Sequence, residues 1–565
     1  MAICALCHQV EDLSPSGSSS QAPCDSKPLD TRCDACAKLA ELDAKIAEAR
    51  QSLLDMQAQR LKILSDVNGA HDSLSKRFPI EIISNIFRQC LPDLDTLIKI
   101  RNGRLTSVPL RLSQVCRHWR QISHSIPSLW NVMALYVGES QEFSFQSICE
   151  VARGWMERSG ALLPLSVILK VEPEADPGGR NCLPIFKAIM DSERHLDYLQ
   201  IEASETVLHR LETFGGDLST LDVSLAWSSP YTMDPSCFSW TRNHWRPKIL
   251  RMTNVSLDNI AISSTNLTHL EVTEIHWRDI VIFLSCPSNI NSFKLTRIDT
   301  GPPDDLYPAP SWPSPPLEQR TLETFHIDSD VDDIPTDIFS AFIFPSLKSL
   351  VVKSDSDQLD SERFFVVLAD HIKRSSSHLL SLSIGDISFE DPGNYHWFTE
   401  VFKLTASSLN HVGVTPGENQ GDDVKLASAI SSMLHHLPNL CSIRLYAGGL
   451  HWIHALKSLL FAGSAVTIPN NRPLSIIIWS WASLLDKETG NIHFETLSYH
   501  DNECPLLEAT DIQKMLHIMN HELISLAIVQ HSSGSSFEIV ETDIMGQVVV
   551  DLGRVLREME GHSST

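Results

Sequence analysis

The residues with the clearest potential for chemistry are four cysteines near the N-terminus. Cys4 and Cys7 form one Cys-x-x-Cys pair, and Cys33 and Cys36 form a second. Four thiolates in two such pairs can bind one tetrahedral zinc ion. The interval between the pairs is longer than the about 15–20 residues that are usual in zinc ribbons, which favours reduced thiols without metal. We therefore expect no cofactor, with a structural zinc at these cysteines as the alternative.

The sequence carries no motif typical of a known catalytic site. It has no glycine-rich phosphate loop, no His-Glu-x-x-His motif, no nucleophile elbow and no kinase-like set of motifs. His435 and His436 have no partners at ligand spacing, and the paired carboxylates Asp332 and Asp333 lie in a polar segment where solvated charge is expected. We therefore predict that the protein is not an enzyme.

The composition excludes several classes of partner. The 565 residues carry a net charge of −25, so the clustered cations that bind nucleic acid or an anionic membrane are lacking. The N-terminus has no basic region followed by an apolar core, which argues against a secretory signal. The odd number of cysteines, 13, is typical of reduced thiols. We expect an intracellular protein, cytoplasmic, nuclear or both, that binds neither nucleic acid nor membrane.

Residues 37–74 follow a heptad pattern that no proline interrupts. Ten of its eleven seam positions are apolar. The seam positions are Leu39, Leu42, Ile46, Ala49, Leu53, Met56, Arg60, Ile63, Val67, Ala70 and Leu74. A period of 3.5 favours a coiled coil, and self-association through it should be weak because Ala49 and Arg60 interrupt the row of large apolar residues. The alternative is a long helix packed on its own chain.

Two amphipathic helical segments follow, separated by a polar insertion at 93–107. Pro79 begins the first segment, where its missing N–H costs no helical hydrogen bond. The apolar stripe of this segment consists of Ile80, Ile83, Ile86 and Phe87. The second segment repeats helical spacing at Leu112, Val115, Cys116, Trp119 and Ile122. Helices this short cannot bury all of these side chains among themselves, so we expect apolar surface left over for a partner.

The two segments together resemble the F-box. The first, FPIEIISNIF, matches the pattern Leu-Pro-x-Glu-Ile-Leu…Ile-Phe, with Phe78 in place of the usual leucine. The second, LSQVCRHWRQISHSIPSLW, matches Val-Cys-Arg-x-Trp-Arg…Pro-x-Leu-Trp. An ordinary amphipathic helix would explain the isoleucines and leucines but not both complete half-motifs in the correct order. The resemblance covers residues 75–137, has a longer insertion than the compact motif, and is similar to F-box-like proteins of mushroom-forming fungi.

This resemblance implies the substrate-recognition adaptor of an SCF-type ubiquitin ligase. An F-box binds a Skp-type adaptor subunit and through it a cullin scaffold, while the rest of the chain holds a protein target. The residues that the resemblance assigns to adaptor binding are Phe78, Pro79, Ile80, Ile83, Ile86, Phe87, Leu112, Val115, Cys116 and Trp119. The alternative is a non-ligase scaffold built on the coiled coil and the repeats, in which this module is only a structural cap.

Residues 191–545 contain a recurrent hexad with apolar residues at its positions 1, 4 and 6. Ten copies begin at Leu196, Leu218, Leu267, Ile290, Leu322, Leu347, Leu379, Leu409, Leu440 and Leu523. The pattern resembles a leucine-rich repeat, in which each hexad forms a short parallel strand. Ile275 and Ile298 replace the asparagine usual in such repeats, and most intervals exceed about 29 residues. An ordinary α/β domain or another stacked β architecture is the alternative.

The predicted fold is α/β, with an N-terminal helical segment (coiled coil plus three-helix F-box) followed by an irregular leucine-rich-repeat solenoid. Side chains between the apolar hexad positions would face the concave surface, where a mixed polar set suits protein recognition. The target-binding candidates are His269, Glu271, Thr324, His326, Arg444 and Tyr446. The predicted domains are a Cys-containing flexible N-terminus (1–36), a coiled-coil-like helix (37–74), the F-box (75–137), a connecting region (138–190), the repeat domain (191–545), and a C-terminal helix and polar tail (546–565).

Overall fold

A computed structural model describes residues 34–99, 108–138, 145–160, most of 162–447, and three strands at 474–480, 524–530 and 549–551. The gaps within 162–447 are 174, 177–179, 191–194, 211–215, 227–244, 256–261, 286–288, 300–311, 330–333, 355–360, 388–391 and 417–436. The cysteine-containing segment 1–33 lies outside the described residues. The chain divides into two compact units, Met1–Pro247 with Leu257–Ile262, and Lys248–Ser256 with Ser263–Thr565.

The first unit begins with the long helix α1 (Asp34–His71). Its alanines, leucines, glutamates and lysines are strong helix formers, and no proline or interior β-branched run opposes the helix. It ends before the predicted boundary at 74, because the side chain of Asp72 accepts hydrogen bonds from the backbone N–H groups of Leu74 and Ser75 and so starts a new helix. Among the described residues, no helix is long and apolar enough to cross a membrane.

Short helices and one 3-10 turn form a helical module after α1. These are α2 (Ser73–Arg77), α3 (Ile80–Gln89), α4 (Leu94–Lys99), α5 (Val108–Val115), α6 (Arg117–Ser125) and the 3-10 turn Pro127–Leu129. Pro79 precedes α3 in an extended conformation, as the sequence predicts. The α4 helix lies in the segment predicted as a polar insertion. Cys116 separates α5 from α6, and its sulfur accepts a hydrogen bond from the backbone N–H of Trp119 at 3.4 Å.

Four parallel strands complete the first unit, in the order β1-β2-β3-β4. They and their helices are β1 (Val132–Val137), α7 (Phe145–Ser159), β2 (Leu165–Val171), α8 (Leu183–Met190), β3 (Leu196–Ala203), α9 (Glu205–Arg210) and β4 (Gly216–Leu225). The strands therefore begin within the predicted F-box segment and run through the predicted connecting region. Along β1, buried and partly exposed side chains alternate, which is the pattern of a strand with one covered face.

Thirteen strands lie mainly in the second unit among its described residues, and eleven of them pair in the order β5-β6-β7-β9-β11-β12-β13-β14-β15-β16-β17. The strands are β5 (Trp245–Thr253), β6 (His269–His276), β7 (Ser292–Asp299), β8 (Leu317–Glu318), β9 (Thr324–Ser329), β10 (Phe342–Ile343), β11 (Ser349–Ser354), β12 (Ser381–Ile387), β13 (His411–Pro416), β14 (Ser442–Ala447), β15 (Leu474–Ser480), β16 (Ile524–Gln530) and β17 (Val549–Asp551). The helices are α10 (Trp277–Ser285), α11 (Ile334–Ala341), α12 (Ser361–Ser375) and α13 (Pro392–Thr405). Strands β8 and β10 form a separate parallel pair.

Each of the ten predicted hexads overlaps a strand, and within each unit the neighbouring strands pair parallel, except that β17 pairs antiparallel with β16. The mixed α/β class with an N-terminal helix and a large parallel arrangement of strands is thus confirmed. That the strands form a leucine-rich-repeat solenoid stays a prediction. The prediction of a helix from 546 is wrong at Val549–Asp551, where β-branched valines favour a strand.

Two isoleucines, at positions where the predicted repeat pattern would have asparagine, turn into the core after a backbone kink that occurs in both β6 and β7. Glu274 and Arg297 have φ angles of 55° and 53°, in the left-handed region that few non-glycine residues adopt. Each kink reverses the alternation of the strand, so Ile275 and Ile298 are buried.

Aromatic side chains fill the core of the second unit. The rings of Phe293 and Phe325 stack with centroids 5.4 Å apart, and Phe344 meets Phe325 edge-on at 5.4 Å. His371 on α12 is buried among them, with its Nδ1 3.2 Å from the carbonyl oxygen of Phe339. Burial lowers the pKa of His371 to about 4, so the imidazole is neutral at physiological pH.

Candidate docking surface of the helical module

A partly buried hydrogen bond joins the start of the helical module to its second half. Trp119 on α6 donates its indole N–H to Oδ2 of Asp72 at 2.8 Å. The same carboxylate accepts from the backbone of Leu74 and Ser75 at 3.0 Å and from the Ser75 hydroxyl. Burial raises the pKa of Asp72, but these hydrogen bonds outweigh it and hold the pKa below its ordinary value. Asp72 is therefore an ionised cap that fixes Trp119.

The interior of the module contains three of the residues that the sequence assigns to adaptor binding. Ile83, Phe87 and Cys116 are all buried. The ring of Phe87 lies 4.9 Å from that of Trp119 at an angle of 50°, so α3 packs directly on α6. These three residues support the module from within and do not face a partner.

Leu112, Val115 and Trp119 form a half-buried group. The carbonyl oxygen of Val115 accepts a hydrogen bond from Nδ2 of Asn68 at 2.7 Å. The Arg120 guanidinium donates to the carbonyl oxygen of Ser113 at 2.9 Å, which ties α6 back to α5. This group thus holds α5 and α6 against the end of α1, and only part of its surface is open.

The last part of the sequence motif anchors the module on α7 of the first unit. Trp130 is buried, and its indole N–H donates to the carbonyl oxygen of Ser123 at 2.8 Å. Its ring meets that of Trp155 on α7 edge-on at 4.9 Å, and the guanidinium of Arg158 lies 4.9 Å from its centroid. Burial, with the nearby Arg158, lowers the pKa of His124 at the same contact.

The exposed residues of the motif lie on the outer side of α3. Phe78, Ile82 and Ile86 follow one another at intervals of four residues and expose 46%, 44% and 36% of their surface. We call these three residues the apolar row. Ile82 and Ile86 lie four residues apart within α3 and so share one side of the helix, whereas Phe78 lies in the extended segment just before it. Pro79 is exposed beside it. An exposed set of large apolar side chains of this kind is typical of a protein interface.

A groove of about 740 Å³ borders the other side of α3. Ile80, Ser84 and Arg88 line it from the helix, and Pro127 lines it from the 3-10 turn. The third wall is the loop between α7 and β2, with Leu162 and Leu163. Leu162 exposes 97% of its surface, although leucine is an apolar residue. The sequence identifies Ile80 as a site residue but gives no indication that this loop lies across the groove from it, because the two segments are far apart in the chain.

The side chain of Arg88 is held in place at the edge of this groove. Its Nε donates to the hydroxyl of Ser128 at 3.1 Å, and Nη1 donates to Oδ1 of Asn85 at 2.9 Å. A planar guanidinium fixed by two hydrogen bonds keeps further donors for a carboxylate or carbonyl of a partner. The groove therefore combines apolar walls with one oriented cation.

The predicted target-binding residues lie on adjacent strands of the second unit, but few of them are accessible. Cross-strand register places Glu271, Lys294 and His326 in one row across β6, β7 and β9. Glu271 accepts from Arg251 at 3.1 Å and from Lys294 at 2.8 Å, and these cations overcome the effect of burial and lower its pKa. The carboxylate is thus already paired within the chain.

His326 is buried, whereas His269 is exposed. Burial, with Lys294 and Lys353 close by, lowers the pKa of His326 to about 3. Its Nε2 has no hydrogen-bond partner among the described residues. Thr324 and Arg444 are half-buried, and the side chain of Tyr446 lies outside the described residues. Of the six candidates, His269 is the described side chain most open to a partner.

Three of the four predicted zinc ligands lie outside the described residues. These are Cys4, Cys7 and Cys33, and only the backbone of Cys36 is described, in the first turn of α1. Among the described residues, no group of three or more His, Cys, Asp or Glu side chains is arranged to hold a metal ion. The zinc site stays a prediction.

No protein-family model, curated protein or solved structure matches this chain.

Proposed function

We propose that this protein is the substrate-recognition adaptor of an SCF-type ubiquitin ligase. Its helical module docks on a Skp-type adaptor subunit, and the strands of the second unit hold a protein target. The chain itself carries out no covalent chemistry. It acts by raising the effective concentration of the bound target near a ubiquitin-charged enzyme on the cullin scaffold.

The apolar row is the observation that carries the proposal. Phe78, Ile82 and Ile86 belong to the half-motif that resembles the F-box, and all three are exposed although each is strongly apolar. The interior of the same module is already filled by Ile83 and Phe87. Because the row has no role in the fold of the described module, a partner helix that covers it would account for its composition.

The groove on the other side of α3 offers a second contact surface beside the apolar row. A Skp-type subunit that covers the apolar row can also reach Ile80 at the edge of the groove. Arg88 offers an oriented cation there, which would select an acidic or carbonyl-bearing segment of the partner. The docking surface that we propose therefore consists of the apolar row, Pro79, Ile80 and Arg88.

Co-purification with a Skp-type adaptor tests this function. The Ile82→Glu variant should fold normally because the side chain is exposed, but should bind the adaptor at least about 30-fold more weakly, since a charge is buried at a central contact. The matched control is Gln121→Glu, which adds the same charge at an exposed position of α6 and should bind like the wild type. Affinity is measured by calorimetry with the full-length chain.

Two results would contradict the proposal. The first is a wild-type chain that is folded by circular dichroism and retains no adaptor. The second is equal binding by the wild type and Ile82→Glu, which would place the interface elsewhere.

A non-ligase scaffold is the second candidate function. The observation that favours it is α1, whose seam residues are exposed over nearly the whole helix and offer an assembly surface without any adaptor. Adaptor binding distinguishes the two functions, because a scaffold in which the helical module is only a cap would assemble normally and ignore the Skp-type subunit.

A further inference from the structure

The helix α1 exposes a heptad seam that the described residues of its own chain do not cover. All ten seam positions from Leu39 to Ala70 are exposed. The helix contacts the module through the side away from the seam, where Ser65 and Gly69 are half-buried and Asn68 donates to Val115. The seam therefore stays open even where α1 touches its own chain, which excludes the alternative that this row packs on the described part of the chain.

An uncovered seam of this length calls for a second helix. At 38 residues, α1 is about 57 Å long. Leu39, Leu42, Leu53, Met56 and Ile63 each expose about half of their surface or more. A single projecting helix gains little stability from propensity alone, and a period of 3.5 is the spacing that lets two helices cover each other continuously.

Two seam residues determine which partner and orientation fit. Arg60 is the charged position and Ala49 is the smallest position in the middle of the row. In a parallel pair in register, each seam residue faces its own copy, so two Arg60 guanidinium groups would meet and two Ala49 side chains would leave a gap. Like charges held close together in a partly desolvated seam oppose association.

The antiparallel arrangement removes both defects. We centre the antiparallel overlap between residues 54 and 55 of each helix. In this register, Arg60 of one copy faces Ala49 of the other. The small alanine leaves space for the aliphatic stem of arginine, whose charged end can reach water. In the other layers of the seam, apolar side chains face each other. These pairs are Leu53 with Met56, Ile46 with Ile63, Leu42 with Val67, and Leu39 with Ala70.

We propose that α1 pairs with α1 of a second copy of this chain, as an antiparallel two-stranded coiled coil in this register. The pairing overlays residues 38–71 of each copy and so uses almost the entire helix. It sets the two helical modules at opposite ends of the coiled coil. Neither the pairing nor its test depends on adaptor binding.

Light scattering on the full-length chain tests the number of copies. The wild type should approach the mass of two 63.1 kDa chains as its concentration rises. Leu53→Glu places a charge at the centre of the seam and should give a monomer at the same concentrations. Ala58→Glu adds the same charge at an exposed position outside the seam and should remain a dimer. A wild type that stays monomeric, or that forms trimers or tetramers, overturns the proposal.

Photo-crosslinking tests the orientation. A benzophenone amino acid in place of Leu42 should cross-link, after trypsin digestion, to the peptide 63–76 that contains Val67. Within one helix these two positions are about 37 Å apart, so this product can form only between copies. Cross-links to the peptide 39–45 would indicate a parallel pair, and cross-links elsewhere would indicate another register. Either result overturns the proposed pairing.

Discussion

Trp119 donates its indole N–H to the carboxylate of Asp72 at 2.8 Å, across 47 positions of sequence. The carboxylate also caps α2, so one buried charge fixes the end of α1, the start of α2 and the orientation of α6. Trp119 belongs to the half-motif that the sequence links to adaptor binding. Its position indicates that it acts mainly by holding the surface that carries the apolar row.

Trp119→Phe tests this structural role. The substitution keeps an aromatic ring against Phe87 but removes the donor to Asp72, so the module should lose about 1–3 kcal/mol of stability against opening. Hydrogen exchange of the amides of Leu74 and Ser75 measures this local stability, and their protection should fall.

The matched control is Trp397→Phe, which removes an indole from the half-buried Trp397 of α13 in the second unit. It should leave the exchange of the Leu74 and Ser75 amides unchanged. Equal protection in Trp119→Phe and the wild type would mean that the hydrogen bond contributes nothing to the module.

The spacing of apolar residues in the sequence predicts the helices and strands of this fold well, because residues three or four apart share a helix face and alternate residues share a strand face. Isoleucines at intervals of three and four predict α3, and apolar residues at hexad positions 4 and 6, such as Leu270 and Val272, predict buried strand faces. The break at Asp72 is also a local effect, but a carboxylate inside a heptad pattern gives it no distinct signal. The sequence therefore predicts an end of α1 at residue 74, beyond the observed end at His71.

The exposure of individual site residues could not be predicted from spacing. Ile82 and Ile83 are neighbours of equal hydrophobicity, yet Ile82 is exposed and Ile83 is buried, because α6 packs on only one side of α3. The proximity of Leu162 to Ile80 depends in the same way on how the chain returns from α7. Sequence thus identifies the module, whereas tertiary packing decides which half of its apolar residues a partner can reach.

The buried histidine His371 predicts a pH dependence for the second unit. Its pKa is about 4 in the folded chain and 6.5 as the ordinary value, so the unfolded chain takes up a proton between these pH values while the folded chain does not. The free energy of unfolding is therefore not reduced by this histidine above about pH 6.5, and it decreases as the pH falls towards 4. Between pH 7 and 5, His371 alone should account for a loss of about 2 kcal/mol in the free energy of unfolding, measured as the part of the pH dependence in urea that disappears in a variant without it.

His371→Gln should reduce the difference between the urea midpoints at pH 7 and pH 5. The exposed His378 provides the control, because His378→Gln should leave that difference as in the wild type. His326, whose pKa is about 3, also lowers the free energy of unfolding as the pH falls. This effect is present in the wild type and in both variants, so it does not change the comparison. An unchanged pH dependence in His371→Gln would contradict the assignment to His371.

The left-handed backbone at Arg297 predicts how the second unit tolerates substitution. Arg297→Val should destabilise it by about 1–2 kcal/mol, because a β-branched side chain disfavours a φ of 53°. Arg297→Asn also removes the ion pair with Glu274, in which Nη1 lies 3.2 Å from Oε1, but asparagine accepts this backbone conformation. Because both variants lose this ion pair, the difference between their urea midpoints reports mainly on the backbone conformation. Equal midpoints would mean that the kink is not required to turn Ile298 into the core.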